Sequence, residues 1–179
     1  FFNEGGVRTP LLIRWPRHIK PGQISDETVA IFDMFPTLAS LVGVPLPDSI
    51  DGIDISPVFQ GKKLPPRTLF WESNYKNHFG YSVLSEDGSW RLYKMWPWSP
   101  WDNPAYLYDL ASDPTGHKKI VNASVAGALR QEYNLWHDSV HRTRTQFKAN
   151  GENGHGLLIG DDFQRSPGFG GFTFAVGIT

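Results

Sequence analysis

Cysteine is absent from the 179 residues. That excludes a disulfide framework, a thiolate-ligated zinc and a thiol nucleophile, and it leaves the redox compartment open. Apolar runs are only a few residues long, far short of the roughly 20 that a membrane-spanning helix needs, so no membrane partner is expected. Neither sign of charge dominates: 17 Lys and Arg stand against 18 Asp and Glu, which leaves no electrostatic footprint for nucleic acid. The 18 Gly and 14 Pro are scattered without a period and stay below low-complexity enrichment. Phe1 is not an initiator methionine, and no charged n-region or apolar h-region follows it. The chain therefore reads as a fragment with residues expected upstream.

What is present in excess is aromatic surface, 14% of the chain, with Trp at 15, 71, 90, 96, 98, 101 and 136. Residues 1–66 are short apolar runs cut by Gly and Pro. Leu11 to Trp15, closed by Pro16, reads as a strand buried on both faces, and Thr28 to Phe32 is also β-rich. Asp33 stands where an N-cap belongs, ahead of a helix Met34–Val42 with Gly43 as its C′ residue. Met34, Leu38, Leu41 and Val42 then share its apolar face. A helical turn over Ile55 to Phe59 ends at Gly61, and Lys62 to Pro66 reads as a connector.

From residue 67 the pattern changes to period two. Thr68 to Trp71, Tyr81 to Ser85, Trp90 to Tyr93 and Ala105 to Leu110 read as strands, the middle pair joined across Glu86-Asp87-Gly88-Ser89, a strong hairpin signal. An amphipathic helix over 124–142 follows, with Val125, Leu129, Trp136 and Val140 on one face, as cover for an antiparallel sheet. After Arg144 the composition turns to Gly, Asn and charge. Phe172 to Thr179 then alternates like the opening strand of a further module.

Few residues could carry chemistry unaided. His137 and His141 are one helical turn apart, as in zincins, but the acid between them is Asp138 where the reaction needs the longer Glu, and no third ligand follows. A solvated helix end is the preferred reading. Gly168-Phe169-Gly170-Gly171 precedes a strand, not the helix that a phosphate cradle requires. Asn122-Ala123-Ser124 is a formal sequon. His18, His117 and His155 have no recognisable partner, whereas His78 lies in a polar loop beside Asn74, Tyr75 and Asn77. Trp96, Trp98 and Trp101, stiffened by proline, would suit either a core or stacking on pyranose rings.

Glu4-Gly5-Gly6-Val7-Arg8-Thr9-Pro10 and the following Trp15-Pro16 resemble the Glu-Gly-Gly-x-Arg-x-Pro and Trp-Pro segments of the sulfatase family. The resemblance continues in order through Asp33 to Leu38, Gly43 to Pro47, Asp51 to Asp54, Phe70-Trp71-Glu72, Asp87 to Leu92, and Leu107 to Leu110 with Asp113-Pro114. It implies an α/β fold, alkaline-phosphatase-like, whose large domain ends in residues 1–66. An α+β subdomain over 67–144 then carries a four-stranded antiparallel sheet and a C-terminal helix; residues 145–179, of which 151–179 fall outside the resemblance, read from their composition as linker and start of a further β-module. It also implies hydrolysis of sulfate esters with a formylglycine and a Ca²⁺ ion, both expected from an upstream catalytic half of the same protein. No catalytic or metal-ligating residue is expected in this chain, and alone it should be inert.

Glu4, Gly5, Gly6 and Arg8 are then expected near the site in a positional role, the glycines permitting a tight backbone. Trp71, Glu72, Asn74 and His78 are the candidates for the rim that binds substrate, a sulfated carbohydrate or aryl sulfate. Ser73 stands where many relatives have a His. Location is expected to be secreted or periplasmic. Two alternatives stay open: a phosphodiesterase or phosphonate hydrolase on the same scaffold, and a non-catalytic carbohydrate-binding module using the Trp loop.

Overall fold

The computed structural model describes residues 3–75, 78–94, 105–149 and 174–178. The chain divides into two compact units, Thr9–Pro66 and Phe1–Arg8 with Arg67–Gly177. Reading the sequence puts 1–66 together; the compact units instead group the first eight residues with the sheet.

The Thr9–Pro66 unit holds a 3-10 turn Ile31–Asp33 that runs directly into helix α2, Met34–Val42 (α1 is the turn Glu4–Val7, below), and a second 3-10 turn Ser56–Gln60. Gly43 and Gly61 close these helices in the left-handed region, with φ of 71° and 72°, as expected of C′ glycines. Asp33 departs from its expected role. Its side chain makes no cap bond; fully buried, its carboxylate accepts from the amides of Ala30 at 2.7 Å and Ile53 at 3.0 Å. Thr37 continues the network, donating its hydroxyl to the Asp33 carbonyl at 2.6 Å and accepting from the Ile55 amide at 2.9 Å. A buried carboxylate is tolerated because amides satisfy it.

The face assigned to α2 is also reversed. Pro36, Thr37 and Ala39 are its buried residues, while Leu38 is 56% exposed and Val42 72%. Polar bonding by Asp33 and Thr37 orients the helix, and the apolar stripe is left outward. Leu11 to Trp15 is likewise no strand, and Leu12 is 88% exposed. A strand buried on both faces needs ladder neighbours, and the described residues supply none. Thr28 to Phe32 is extended only as far as the turn at Ile31.

The other unit is a sheet covered by a helix. Strands β1 (Leu69–Tyr75), β2 (His78–Leu84), β3 (Trp90–Lys94), β4 (Tyr106–Asp109) and β5 (Lys119–Ile120) pair antiparallel with their chain neighbours. With β6 (Phe174–Ile178) the order is β5-β4-β3-β2-β1-β6. The expected four-stranded sheet thus gains members. β5 escaped the pattern because two residues, one of them Lys, carry no periodicity. At the β2–β3 turn, Gly88 has φ 72°, and Asp87 binds Ser85 Oγ at 2.6 Å, the Ser89 amide at 3.0 Å and Ser89 Oγ at 2.6 Å. These donors, Ser85 first, hold its carboxyl below the usual carboxylate range.

Helix α3, Ala123–Ala149, starts at Asn122, whose side-chain oxygen accepts from the Val125 amide at 3.2 Å. Leu129, Tyr133 and Trp136 form the core with Phe70, Tyr81, Val83, Leu92 and Leu107. Rings stack directly: Phe70 on Trp136 at 5.1 Å and Tyr81 on Tyr133 at 4.0 Å between centroids. Tyr133 thus joins the face expected of α3, whereas Val140 is 38% exposed. The Trp96–Pro104 loop, the glycine cluster at 168–171 and His155 lie outside the described residues.

Candidate functional site

Successive side chains of a strand point to opposite faces, and β1 uses this to separate two of the expected rim residues. Phe70 and Glu72 face α3; Trp71 faces away. The structure therefore does not bring Trp71 and Glu72 together. Asn74 and His78 stand on the adjoining ends of β1 and β2, where Asn74 pairs with Phe79 and Tyr75 with His78. Their side chains lie outside the described residues.

On the α3 side, Glu72 is tied to the helix. Its Oε2 accepts from the Tyr133 hydroxyl at 2.6 Å and lies 2.7 Å from His137 Nδ1, while hydroxyl and imidazole are 3.3 Å apart. Burial, and then the hydrogen bond and charge of Glu72, push the Tyr133 phenol above its ordinary pKa. Tyr133 stays a neutral donor at any physiological pH. A carboxylate between a phenol and an imidazole is well suited to hold β1 against α3. His137 takes this place instead of the solvated helix end expected of it.

On the opposite face, α1 (Glu4–Val7) is a single helical turn whose one buried residue is Glu4. Glu4 Oε1 accepts from Arg91 Nε, and Arg91 Nη1 donates to Ser82 Oγ at 2.9 Å. The Arg91 guanidinium lies 5.1 Å from the centroid of the Trp71 ring, within cation–π range. The side chains of Arg91 and Glu4 are 4% and 8% exposed. Burial presses the Arg91 pKa down and Glu4 restores part of it. Arg8 Nη1 donates to the Pro114 carbonyl at 3.1 Å. Gly116, at φ 63°, leaves just enough room for Glu4, because a Cβ there would come within 3.2 Å of Glu4 Cγ.

Gly5 and Gly6 lie in the α1 turn. Neither has a positive φ, and a Cβ on Gly5 would meet nothing within 4 Å. The tight spot is at Gly116. Sequence reasoning singled out neither Arg91, Tyr133 nor His137 as partners for these sites. Arg91 was visible within the Asp87-to-Leu92 resemblance, and Tyr133 sits in helical register with Leu129 and Trp136.

Among the described residues no group of three or more His, Cys, Asp or Glu side chains could hold a metal ion. The Ca²⁺ and formylglycine implied by the resemblance are not assigned to residues of this chain.

The family model described as N-sulphoglucosamine sulphohydrolase, C-terminal, matches residues 1–142. Human arylsulfatase A is 34% identical over 144 residues, which cover 70% of this chain and 28% of the relative. Bovine arylsulfatase A is 49% identical over 139 residues, 67% of this chain and 27% of the relative. Human steryl-sulfatase is 31% identical over 147 residues, 68% and 25%. The chain thus spans about a quarter of the length of these relatives. With a family match across the α1 turn, the Thr9–Pro66 unit and the sheet up to α3, this chain belongs to the sulfatase family, in the region that the family model describes as C-terminal.

Proposed function

We propose that the whole protein is a sulfuric ester hydrolase and that this chain supplies its scaffold and substrate rim, not its nucleophile. The observation that carries the reading is the family match over residues 1–142. Residues 1–66 would complete an alkaline-phosphatase-like α/β domain. In support, Leu12, Ile24, Ile31, Phe35, Leu38 and Val42 are exposed within the Thr9–Pro66 unit, as residues would be that pack against a larger body. Residues 67–144 would form the following subdomain and 145–179 a linker into a further β-module.

The substrate class is a sulfated carbohydrate or an aryl sulfate. A relative named N-acetylgalactosamine-6-sulfatase, from pig, is 35% identical over 88 residues, 42% of this chain and 17% of the relative. Asn74 and His78, at the β1–β2 end, would present hydrogen-bonding groups to substrate, and Trp71 would border the rim from the other face of β1. Glu72 would act by keeping β1 on α3 through Tyr133 and His137. Glu4, Gly5, Gly6 and Arg8 would border the site. Formylglycine, as nucleophile, and Ca²⁺ would come from the upstream half, and the protein would be secreted or periplasmic.

The test is release of inorganic sulfate by the whole protein from an aryl sulfate and from sulfated mono- and oligosaccharides. Sulfate release, reduced at least tenfold in kcat/KM by His78→Ala, is expected. Hydrolysis of phosphate diesters without release of sulfate would overturn the reading in favour of a phosphoesterase.

A further inference from the structure

We propose that Arg91 is a positioning residue for the sulfate-ester site, fixing the Glu4–Arg8 segment from 87 residues away. This rests on the preceding reading that the segment borders that site.

Among the described residues little else holds the segment. Of the α1 turn only Glu4 is buried; Gly5, Gly6 and Arg8 are exposed. No apolar side chain of the turn enters the core. Its place is set by the Glu4–Arg91 pair, by Arg8 on the Pro114 carbonyl, and by the fit of Glu4 beside Gly116. A buried ion pair is a poor means of gaining stability, because desolvating two charges offsets their attraction and an apolar pair of equal size does as well or better. What it adds is direction. The guanidinium is planar and offers donors at fixed angles, and here three contacts define it: Glu4, Ser82 and the Trp71 ring. Ser82 is fully buried and Trp71 lies opposite it in the β1–β2 register, so the fork is aimed by two strands. The sheet dictates where the Glu4 carboxylate, and with it the backbone of the turn, must lie.

The experiment uses the whole protein and two readouts, steady-state sulfate release and amide exchange of Gly6, Val7 and Arg8. Those amides bond to the carbonyls of Asn3, Asn3 and Glu4 at 2.9, 3.1 and 3.0 Å. Arg91→Met is expected to lower kcat at least tenfold with KM within twofold, and to speed exchange of the three amides at least tenfold. Arg91→Lys, which keeps charge but loses the fork, falls between and serves if the Met variant does not fold. Adding Glu4→Gln to Arg91→Met is expected to cause no further loss in kcat. Leu107→Ala, a core change on the α3 side, controls for lost stability: its kcat per folded molecule and its segment exchange should match the unmodified protein. The proposal is overturned if the Arg91 variants keep kcat within twofold, or if Leu107→Ala lowers kcat as much as they do. Absence of sulfate release from the unmodified protein would instead overturn the sulfatase reading, and unchanged exchange in the Arg91 variants would then dispose of the anchoring as well.

Discussion

Replacing Gly52 by Ala is the sharpest test of how the Thr9–Pro66 unit is held together. A Cβ at that position would lie 2.3 Å from the carbonyl oxygen of Phe32, 2.9 Å from its carbonyl carbon and 2.9 Å from Pro36 Cγ. Two of these are backbone atoms of the 3-10 turn entering α2, and they cannot rotate aside. Relief requires residues 51–53 to move away from that turn. The next bond along is the Ile53 amide to the buried Asp33 carboxylate at 3.0 Å, followed by Ile55 to Thr37. Overpacking alone costs about 1–3 kcal/mol, and a hydrogen bond to a charged acceptor contributes about 1.5–3 kcal/mol. A loss of about 3 kcal/mol is therefore expected, a shift of more than about a hundredfold in a folding equilibrium that totals only about 5–15 kcal/mol. Urea unfolding of the chain, followed by amide exchange at Ile53 and Ile55, measures both the global and the local effect. Gly5→Ala, where the space is open, should lose nothing. A Gly52→Ala chain with unchanged midpoint and unchanged Ile53 exchange would refute the account of this network.

Four further outcomes are expected. Tyr133→Phe removes the hydroxyl from Glu72 while keeping the ring stack on Tyr81, and should cost about 1–2 kcal/mol in urea unfolding; Trp136→Ala, which empties the core, should cost about 3–5 kcal/mol. Asn122→Ala deletes the α3 cap and should cost about 1 kcal/mol, with Asn122→Asp retaining most of it and the Val125 amide reporting the difference by exchange. Asp113 is held down to about 2, first by the Thr115 hydroxyl and then by the Lys118 amide. Its folded value lies below the ordinary one, so its contribution to loop order is complete above about pH 4 and disappears as pH falls through about 2. The amide shifts of His117 and Lys118, both bonded to Asp113 Oδ2 at 2.7 Å, should titrate there, and a midpoint near 4 would contradict the assignment.

Elements whose cause is local were legible in the sequence. Asp87-Gly88 makes a turn because glycine accepts positive φ and aspartate ties its own neighbours, and Met34–Val42 has its bounds because Gly43 can turn left-handed. The orientation of that helix was not legible. Periodicity counts apolar residues, whereas Asp33 and Thr37 placed the helix through bonds to Ile53 and Ile55 far along the chain. The site failed to show for a related reason. Glu72 lies 61 residues from Tyr133 and 65 from His137, and no spacing rule spans such intervals. The Glu-Gly-Gly segment was recognised by resemblance, but its partner Arg91 followed only from the fold. Leu11 to Trp15 had the composition of a strand without the neighbours that make one.

The uninterrupted antiparallel succession β1 to β5 bears on the order of events in folding. Each of these strands finds its partner immediately behind it in the chain, so only short loops need to close before the ladders grow. The Glu4–Arg91 contact, 87 residues apart in the chain, is not of this kind. During synthesis the Glu4–Val7 turn cannot make this contact until β3 has emerged. A chain that ends before Arg91 would lack the partner that holds Glu4 and, with it, the turn.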